Sequence, residues 1–220
     1  MKIIKHIKYF FEQLVNKINE CKINNNLIDV REIKGNFGYS IINFSLSNPY
    51  VYNEKNLQDI KIKPVALNFN EWKFISDLKI YIDNNYSEYK DLEIFIIRNV
   101  SKKGIGFFEN NGFYPDFIIW IISKTETIMV FIEPHGMLRE TINSEKINLY
   151  KKIKEYEKKI DNTKINIKIP RLESFILSTT EYINMNSNFL KTEWENNHVL
   201  FMEDSDYIKK LLNKILNHTN

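Results

Sequence analysis

The chain has 220 residues, of which 43% are hydrophobic and 14% aromatic, a composition that suits one α/β domain with a real core and argues against disorder. Its 31 basic and 28 acidic residues leave a net charge of +3, which excludes a polybasic tail and permits nucleic-acid binding without requiring it. The single cysteine, Cys21, excludes a disulfide framework and a cysteine-based zinc site.

Targeting and membrane signals are absent from the sequence. No run of about 18 apolar residues occurs, and Glu12, Lys17 and Glu20 interrupt any uncharged core of a signal peptide. The glycine-rich nucleotide loops and the HExxH and GxSxG motifs are missing as well. We therefore expect a reduced, cytoplasmic protein without a membrane segment.

The N-terminal part, residues 1–64, is predicted to be a helical and β extension. Apolar spacing indicates a helix over 3–21, and the runs 27–30 and 39–44 favour strands. Pro64 ends a polar stretch and marks the expected boundary, so residues 65–220 form the second predicted domain.

The second domain alternates helical and apolar strand patterns. Asn70 is predicted to cap a helix that ends near Asn84, and a strand over 93–98 follows. The runs 114–122 and 127–133 are apolar on both faces, which is typical of strands in the middle of a covered sheet. The remaining predicted elements are a helix over 142–160, strands over 175–178 and 198–202, and a last helix capped by Asp204 or Ser205. The pattern predicts an α/β fold with helices around a sheet.

Two carboxylates lie at the ends of the paired apolar runs, Asp116 before the first and Glu133 at the end of the second. A turn centred on Lys124 and Thr125 makes cross-strand partners sum to 249, as 116 and 133 do, so their Cα atoms should lie about 4.5–5.5 Å apart. Carboxylates this close repel each other unless a cation lies between them, and oxygen ligands favour Mg²⁺ or Mn²⁺. Pro134 cannot donate to the ladder, so the strand should end there and leave its carbonyl as a further metal ligand.

His135 follows Glu133 by two residues and is expected on the same face of the strand, within reach of the ion or its water. A different interpretation stays open. A Pro-Asp pair is also typical of a simple capped turn, and a glutamate at the end of a strand is often only solvated.

The ordered segments Gly-Phe-Tyr-Pro-Asp-Phe at 112–117 and Phe-Ile-Glu-Pro-His-Gly at 131–136 resemble the PD-(D/E)xK nuclease superfamily. More narrowly, they resemble the nuclease-like C-terminal region of DEAD/DEAH-box helicase proteins related to type III restriction subunits. The resemblance covers about residues 70–213 and includes further stretches at 97–99, 104–109, 172–180 and 198–204. It implies a restriction-endonuclease-like mixed β-sheet flanked by helices.

The resemblance also implies a function, a divalent-metal-dependent endonuclease that uses Mg²⁺ or Mn²⁺ and acts on nucleic acid, with DNA favoured over RNA. Such a protein would serve a restriction or phage-defence system together with a helicase or ATPase subunit, which this chain lacks. The catalytic set would be Asp116, Glu133, His135 and Lys146. The superfamily has lysine where this chain has His135, and Lys146, on the apolar face of the helix over 142–160, is the replacement. The alternative is that Lys146 reaches past its neighbours to solvent.

Five further residues are candidates for accessory roles. Glu71 and Glu109 are acidic groups that could contact the metal, although Glu71 also suits the helix dipole and Glu109 a solvated loop. Arg98, Lys102 and Lys103 could bind nucleic-acid phosphates, although a lysine pair in a loop is often merely solvated.

Two other functions stay open. The histidine in place of lysine favours a degenerate nuclease fold that binds nucleic acid, or a helicase partner, without cutting. An interaction module within a defence assembly is the other alternative. The sequence leaves a homodimer open.

Overall fold

The protein is described by a computed structural model in two units, Met1–Ala66 and Leu67–Asn220, which are treated separately. The described residues are 33–34, 39–42, 50–53, 67–99, 106, 113–161, 170–185 and 188–216. The helix predicted over 3–21 and the strand predicted over 27–30 lie outside them.

The first unit contains a small antiparallel sheet of three strands, in the order β1-β2-β3. These strands are Ile33–Lys34, Tyr39–Ile42 and Tyr50–Asn53. The second strand lies inside the run predicted over 39–44. Tyrosine, isoleucine and valine, which supply most of β2 and β3, favour extended backbone because their side chains suit a pleated surface.

The second unit contains a mixed sheet with helices around it, which confirms the α/β prediction. Its helices are α1 (Phe69–Asn84), α2 (Tyr86–Tyr89), α3 (Leu149–Asp161), α4 (Lys191–Asn196) and α5 (Tyr207–Leu216). Its strands are β4 (Glu93–Arg98), β5 (Phe117–Ile122), β6 (Thr127–His135), β7 (Arg171–Ser178) and β8 (Val199–Phe201).

The sheet of the second unit has the order β4-β5-β6-β7-β8. The first three strands form an antiparallel meander, whereas β7 runs parallel to β6 and β8 runs parallel to β7. The β5–β6 hairpin closes between Ile122 and Thr127, where the Ser123 backbone N–H donates to the Glu126 carbonyl at 2.9 Å. A parallel pair cannot be joined by a tight turn, and the chain from β6 to β7 accordingly passes through α3.

The middle strands are buried at successive positions, which means that both faces of the sheet are covered. Helix α3 packs on β7, and α5 packs on β8 and contacts α1. Helix α1 also contacts β6, with Phe74 and Leu78 fully buried on its apolar face. Through this contact α1 lies against one of the strands that carry the predicted site.

The start of α1 differs from the prediction, because Asn68 rather than Asn70 is the cap. The Asn68 side chain accepts from the Glu71 backbone N–H at 2.9 Å, and the Glu71 carboxylate accepts from the Asn68 N–H at 3.0 Å. This reciprocal pair requires a glutamate three residues after the cap, a spacing that Asn68 has and Asn70 lacks.

The start of α3 also differs from the prediction, because the helix begins at Leu149 and not near 142. Residues 139–148 instead form a series of turns. In these turns the Ser144 N–H donates to the Thr141 carbonyl at 2.9 Å and the Asn148 N–H donates to the Ser144 carbonyl at 3.0 Å. Ile147 is nevertheless buried in the cluster that contains Trp194, so apolar spacing in this segment reflects a packed loop.

No helix within the described part of the chain is long and apolar enough to cross a membrane.

Candidate functional site

The predicted carboxylate pair forms where β5 begins and β6 ends. Phe117 lies opposite Ile132 in the hairpin, so the next pair outward is Asp116 and Glu133, and the predicted register is confirmed. The Asp116 backbone N–H donates to Glu133 Oε2 at 3.1 Å. The hairpin register therefore holds both carboxyl groups at one end of the sheet.

The backbone around Asp116 is also tied to the end of β4. The Asn99 N–H donates to the Asp116 carbonyl at 2.7 Å, and the Asn99 side-chain amide donates to the Pro115 carbonyl at 2.8 Å. Asp116 thus lies outside a regular strand but is held from both of its neighbours, β4 and β6. Such double anchoring limits the positions that its carboxylate can take.

A third carboxylate, Glu71, comes to this region from the first turn of α1. Arg98 Nη2 at the end of β4 donates to Glu71 Oε2 at 2.8 Å, and Glu71 is buried. The other accessory candidates, Glu109, Lys102 and Lys103, lie outside the described residues. The charge of Arg98 is directed at the carboxylate region.

Burial and neighbouring charges raise the pKa values of Asp116 and Glu133. The pKa of Asp116 rises from its ordinary value of 3.8 to about 6, because burial and the charge of Glu71 outweigh the opposing charges of Arg98 and Lys146. Burial and the charge of Asp116 raise the pKa of Glu133 from 4.5 to about 8, against the lowering effect of Lys146 and of the Asp116 N–H. Near neutral pH the pair therefore retains a proton unless a cation replaces it.

His135 and Lys146 lie beside the carboxylate pair. His135 Nδ1 is 3.9 Å from Glu133 Oε1, which agrees with the shared strand face. Lys146 Nζ lies 3.3 Å from His135 Nε2 and 5.8 Å from the centre of the Phe113 ring, a position typical of a cation–π contact. The structure thus places both predicted water-activating groups, histidine and lysine, next to each other.

The position predicted for Lys146 on a helix is wrong in its local structure. Lys146 lies in the turns before Leu149, where α3 begins. The side chain still affects the site, because its charge lowers the pKa of Asp116 and of Glu133. A turn therefore brings the Lys146 side chain near the carboxylate pair, where the sequence predicted that a helix would bring it.

The strand end predicted at Pro134 is wrong, because β6 continues to His135. Pro134 pairs with Leu177 and His135 with Ser178 in the parallel ladder with β7. The His135 carbonyl accepts from the Thr179 N–H at 2.9 Å, so the backbone polar groups of His135 face β7. Because successive residues of a strand alternate in direction, the carbonyl of Pro134 faces the opposite side. On that side the β5 ladder has ended, which explains why a proline is tolerated and where its carbonyl points.

The donor set suits a hard cation. Asp116, Glu133 and the Pro134 carbonyl would supply oxygen atoms only, as Mg²⁺ and Mn²⁺ prefer. Among the described residues, no group of three or more His, Cys, Asp or Glu side chains is arranged to hold a metal ion. A magnesium ion commonly uses one or two carboxylates and takes its other oxygens from water and substrate, so two carboxylates are sufficient for that kind of site.

One residue near the site was missed by the sequence reasoning. Glu140 Oε1 lies 3.3 Å from His135 Nε2, on the side of the imidazole away from Glu133. Its distance of five residues from His135 fits neither strand nor helix periodicity. No pattern in the sequence marks this contact, which depends on the turn after Gly136.

Comparisons with other proteins add no relative, since no family model, no curated protein and no solved structure matches this chain.

Proposed function

We propose that this protein is a divalent-metal-dependent nuclease of the PD-(D/E)xK type that hydrolyses phosphodiester bonds in DNA. The observation that carries the proposal is the pair Asp116 and Glu133, held together although each charge opposes the other. Buried carboxylates with strongly raised pKa values are typical of sites whose function requires them. The mixed sheet flanked by helices is compatible with the restriction-endonuclease-like fold that the proposal includes.

In this proposal the ion is held by Asp116 and Glu133, with the Pro134 carbonyl as a further ligand. When bound, a divalent cation neutralises the carboxylates and stabilises negative charge on the phosphate undergoing attack. Exchange of a retained proton for the ion also predicts tighter metal binding as the pH rises.

The chain's own groups then handle the proton and the charge. His135, with one ring nitrogen toward Glu133, is the candidate to accept a proton from the attacking water. The Lys146 ammonium supplies positive charge in the place where the superfamily uses its motif lysine. A positioned base or charge of this kind contributes about 10²- to 10⁴-fold to a rate.

The biological setting in the proposal rests on the resemblance alone. It comprises a restriction or phage-defence system, a helicase or ATPase subunit in another chain, and DNA as the preferred nucleic acid. A co-purification of the native protein with such a subunit, followed by reconstitution of cleavage, would test it.

The direct test is plasmid cleavage by the purified protein with Mg²⁺ or Mn²⁺. Asp116→Asn and Glu133→Gln should each abolish cleavage, because each removes a charge that the ion requires. Asp83→Asn is the matched control, since Asp83 is exposed at the far end of α1. Cleavage that survives either site substitution, or that needs no divalent ion, would contradict the proposal.

A second candidate is a nuclease fold that binds nucleic acid, or a helicase partner, without cutting. The observation that favours it is His135, since neutral imidazole offers less fixed positive charge than lysine. Calorimetric titration with Mn²⁺ separates the two candidates. A protein that binds DNA but shows no Mn²⁺ binding and no cleavage belongs to the second class.

A further inference from the structure

His135 Nε2 has two neighbours that make opposite demands on it. Glu140 Oε1 and Lys146 Nζ each lie 3.3 Å from this nitrogen. An ionised carboxylate can only accept a hydrogen bond and an ammonium can only donate one. A neutral imidazole can therefore satisfy one neighbour but not both, and the choice decides which ring nitrogen carries the proton.

The choice has a consequence on the other side of the ring. If Nε2 carries the proton and donates to Glu140, Nδ1 presents a lone pair in the direction of Glu133, whose Oε1 is 3.9 Å away. If Nε2 instead accepts from Lys146, Nδ1 carries the proton and cannot take another from water. Only the first tautomer gives the proposed base.

The position of Glu140 is built into the fold. The Met137 N–H donates to the Thr180 hydroxyl at 2.9 Å and the Glu140 N–H donates to the Met137 carbonyl at 3.1 Å. Met137 is buried in the core cluster. The turn that carries Glu140 is therefore hydrogen-bonded to Thr180, just beyond β7. The His135 carbonyl is hydrogen-bonded to the neighbouring residue, Thr179.

Lys146 has other favourable interactions, which compete with its hydrogen bond to the imidazole. The Phe113 ring lies under its ammonium at 5.8 Å, and the charges of Asp116 and Glu133 attract it. Glu140 is only partly exposed, and among the described residues His135 is its only ion-pair partner. The balance of contacts thus favours the carboxylate as the partner of Nε2.

We propose that Glu140 is a positioning residue, which keeps His135 in the Nε2–H tautomer and so directs the Nδ1 lone pair toward the carboxylate pair. The catalytic benefit of this role rests on the proposed nuclease function, whereas the tautomer of His135 can be measured without any cleavage activity. Partners that hydrogen-bond to a metal-ligating histidine typically change metal affinity or activity by about 10- to 100-fold when they are removed, and we expect an effect of the same order for a partner that orients a histidine base.

The test is a nitrogen-15 spectrum of the histidine side chains at pH 8.5. The sequence has four histidines, and the signals of His135 are assigned as those that disappear in His135→Gln. The wild type should show the Nε2–H pattern. An Nδ1–H pattern or an imidazolium pattern for His135 would overturn the proposal without the need for any further variant.

Two variants should act in opposite directions. Glu140→Leu removes the acceptor and should shift His135 toward the Nδ1–H tautomer, whereas Lys146→Met removes the competing donor and should leave the Nε2–H tautomer in place. An unchanged tautomer in folded Glu140→Leu would also overturn the proposal. Its circular dichroism spectrum, compared with that of the wild type, shows whether the variant is folded.

Cleavage provides the separate readout. If the wild type cuts DNA, Glu140→Leu should lower kcat by about 10- to 100-fold with little change in KM. The expected tautomer without cleavage in the wild type would refute the nuclease function and leave the positioning role intact. Cleavage by a wild type that shows the Nδ1–H tautomer would support the nuclease function and refute the positioning role of Glu140.

Discussion

Replacing Glu133 with glutamine removes a buried charge and keeps the shape of the side chain, and we expect it to stabilise the fold at alkaline pH. Burial and Asp116 raise the pKa of Glu133 from 4.5 to about 8. A carboxyl whose pKa rises on folding contributes stability below its unfolded pKa, and this contribution is lost as the pH rises through the folded pKa. The loss therefore falls between about pH 4.5 and about pH 8.

The size of the effect follows from the same pKa. At roughly 1.4 kcal/mol per pKa unit, a rise from 4.5 to about 8 corresponds to about 5 kcal/mol. This is an upper bound, because the repulsion is shared with Asp116, which is only half-buried. Glutamine retains an oxygen that can accept the Asp116 N–H. We therefore expect Glu133→Gln to raise the free energy of unfolding at pH 8.5 by about 2 kcal/mol, and by less than about 0.5 kcal/mol at pH 4.5.

Urea unfolding followed by tryptophan fluorescence, with chelator present, measures both values. Glu88→Gln, which alters an exposed glutamate on α2, controls for the general loss of a negative charge. Added Mg²⁺ should stabilise the wild type at pH 8.5 and leave Glu133→Gln unaffected, because only the wild type keeps both carboxylates. A variant that is no more stable than the wild type at pH 8.5 would refute the repulsion argument.

Three further predictions use other contacts. Arg171→Met removes one of the two cations that hold the buried Glu173 carboxylate and should lower the free energy of unfolding by about 3 kcal/mol; a loss below about 1 kcal/mol in urea would contradict this. Arg98→Met leaves buried Glu71 without its ion pair and should destabilise the fold by about 1–3 kcal/mol, with partial recovery in Arg98→Lys; equal stability of all three proteins would speak against it. Duplex DNA binding through about four phosphates should give a log–log salt slope near −3.6, whereas a flat dependence would favour an interaction module.

The central hairpin could be predicted because its determinants are local. The strand over 93–98 has the predicted bounds, and the β5–β6 register follows from a short polar turn between two apolar runs. A shift of one residue would move every side chain to the other face of the sheet, so the register is strongly specified once both runs are buried. Knowing the register was enough to pair Asp116 with Glu133.

The surroundings of the pair could not be predicted in the same way, because they depend on tertiary contacts. Ile147 fits the apolar spacing of a helix, but in the structure it lies in a loop and belongs to the core cluster of Trp194. The same sequence pattern is compatible with a helix and with such a loop. Glu140 reaches His135 through a turn anchored by Thr180, 40 or more residues further along the chain. The Asn68 cap is the exception, since its spacing from Glu71 was visible in the sequence.

Two buried glutamates in adjacent strands, Glu173 and Glu133, differ in their charged partners, and this difference supports the proposed cation. Glu173 accepts from both Lys154 and Arg171 at 2.8 Å, as a structural charge in a protein interior should. Among the described residues no lysine or arginine forms an ion pair with Glu133, whose near neighbours are the Asp116 N–H and the Nδ1 atom of His135. The same fold therefore places two cations against Oε1 of one buried glutamate and, among the described residues, forms no lysine or arginine ion pair with the other. Ionisation of Glu133 in a buried position without an ion pair lowers the stability of the fold at neutral and alkaline pH. A cation bound between Asp116 and Glu133 would offset this loss of stability.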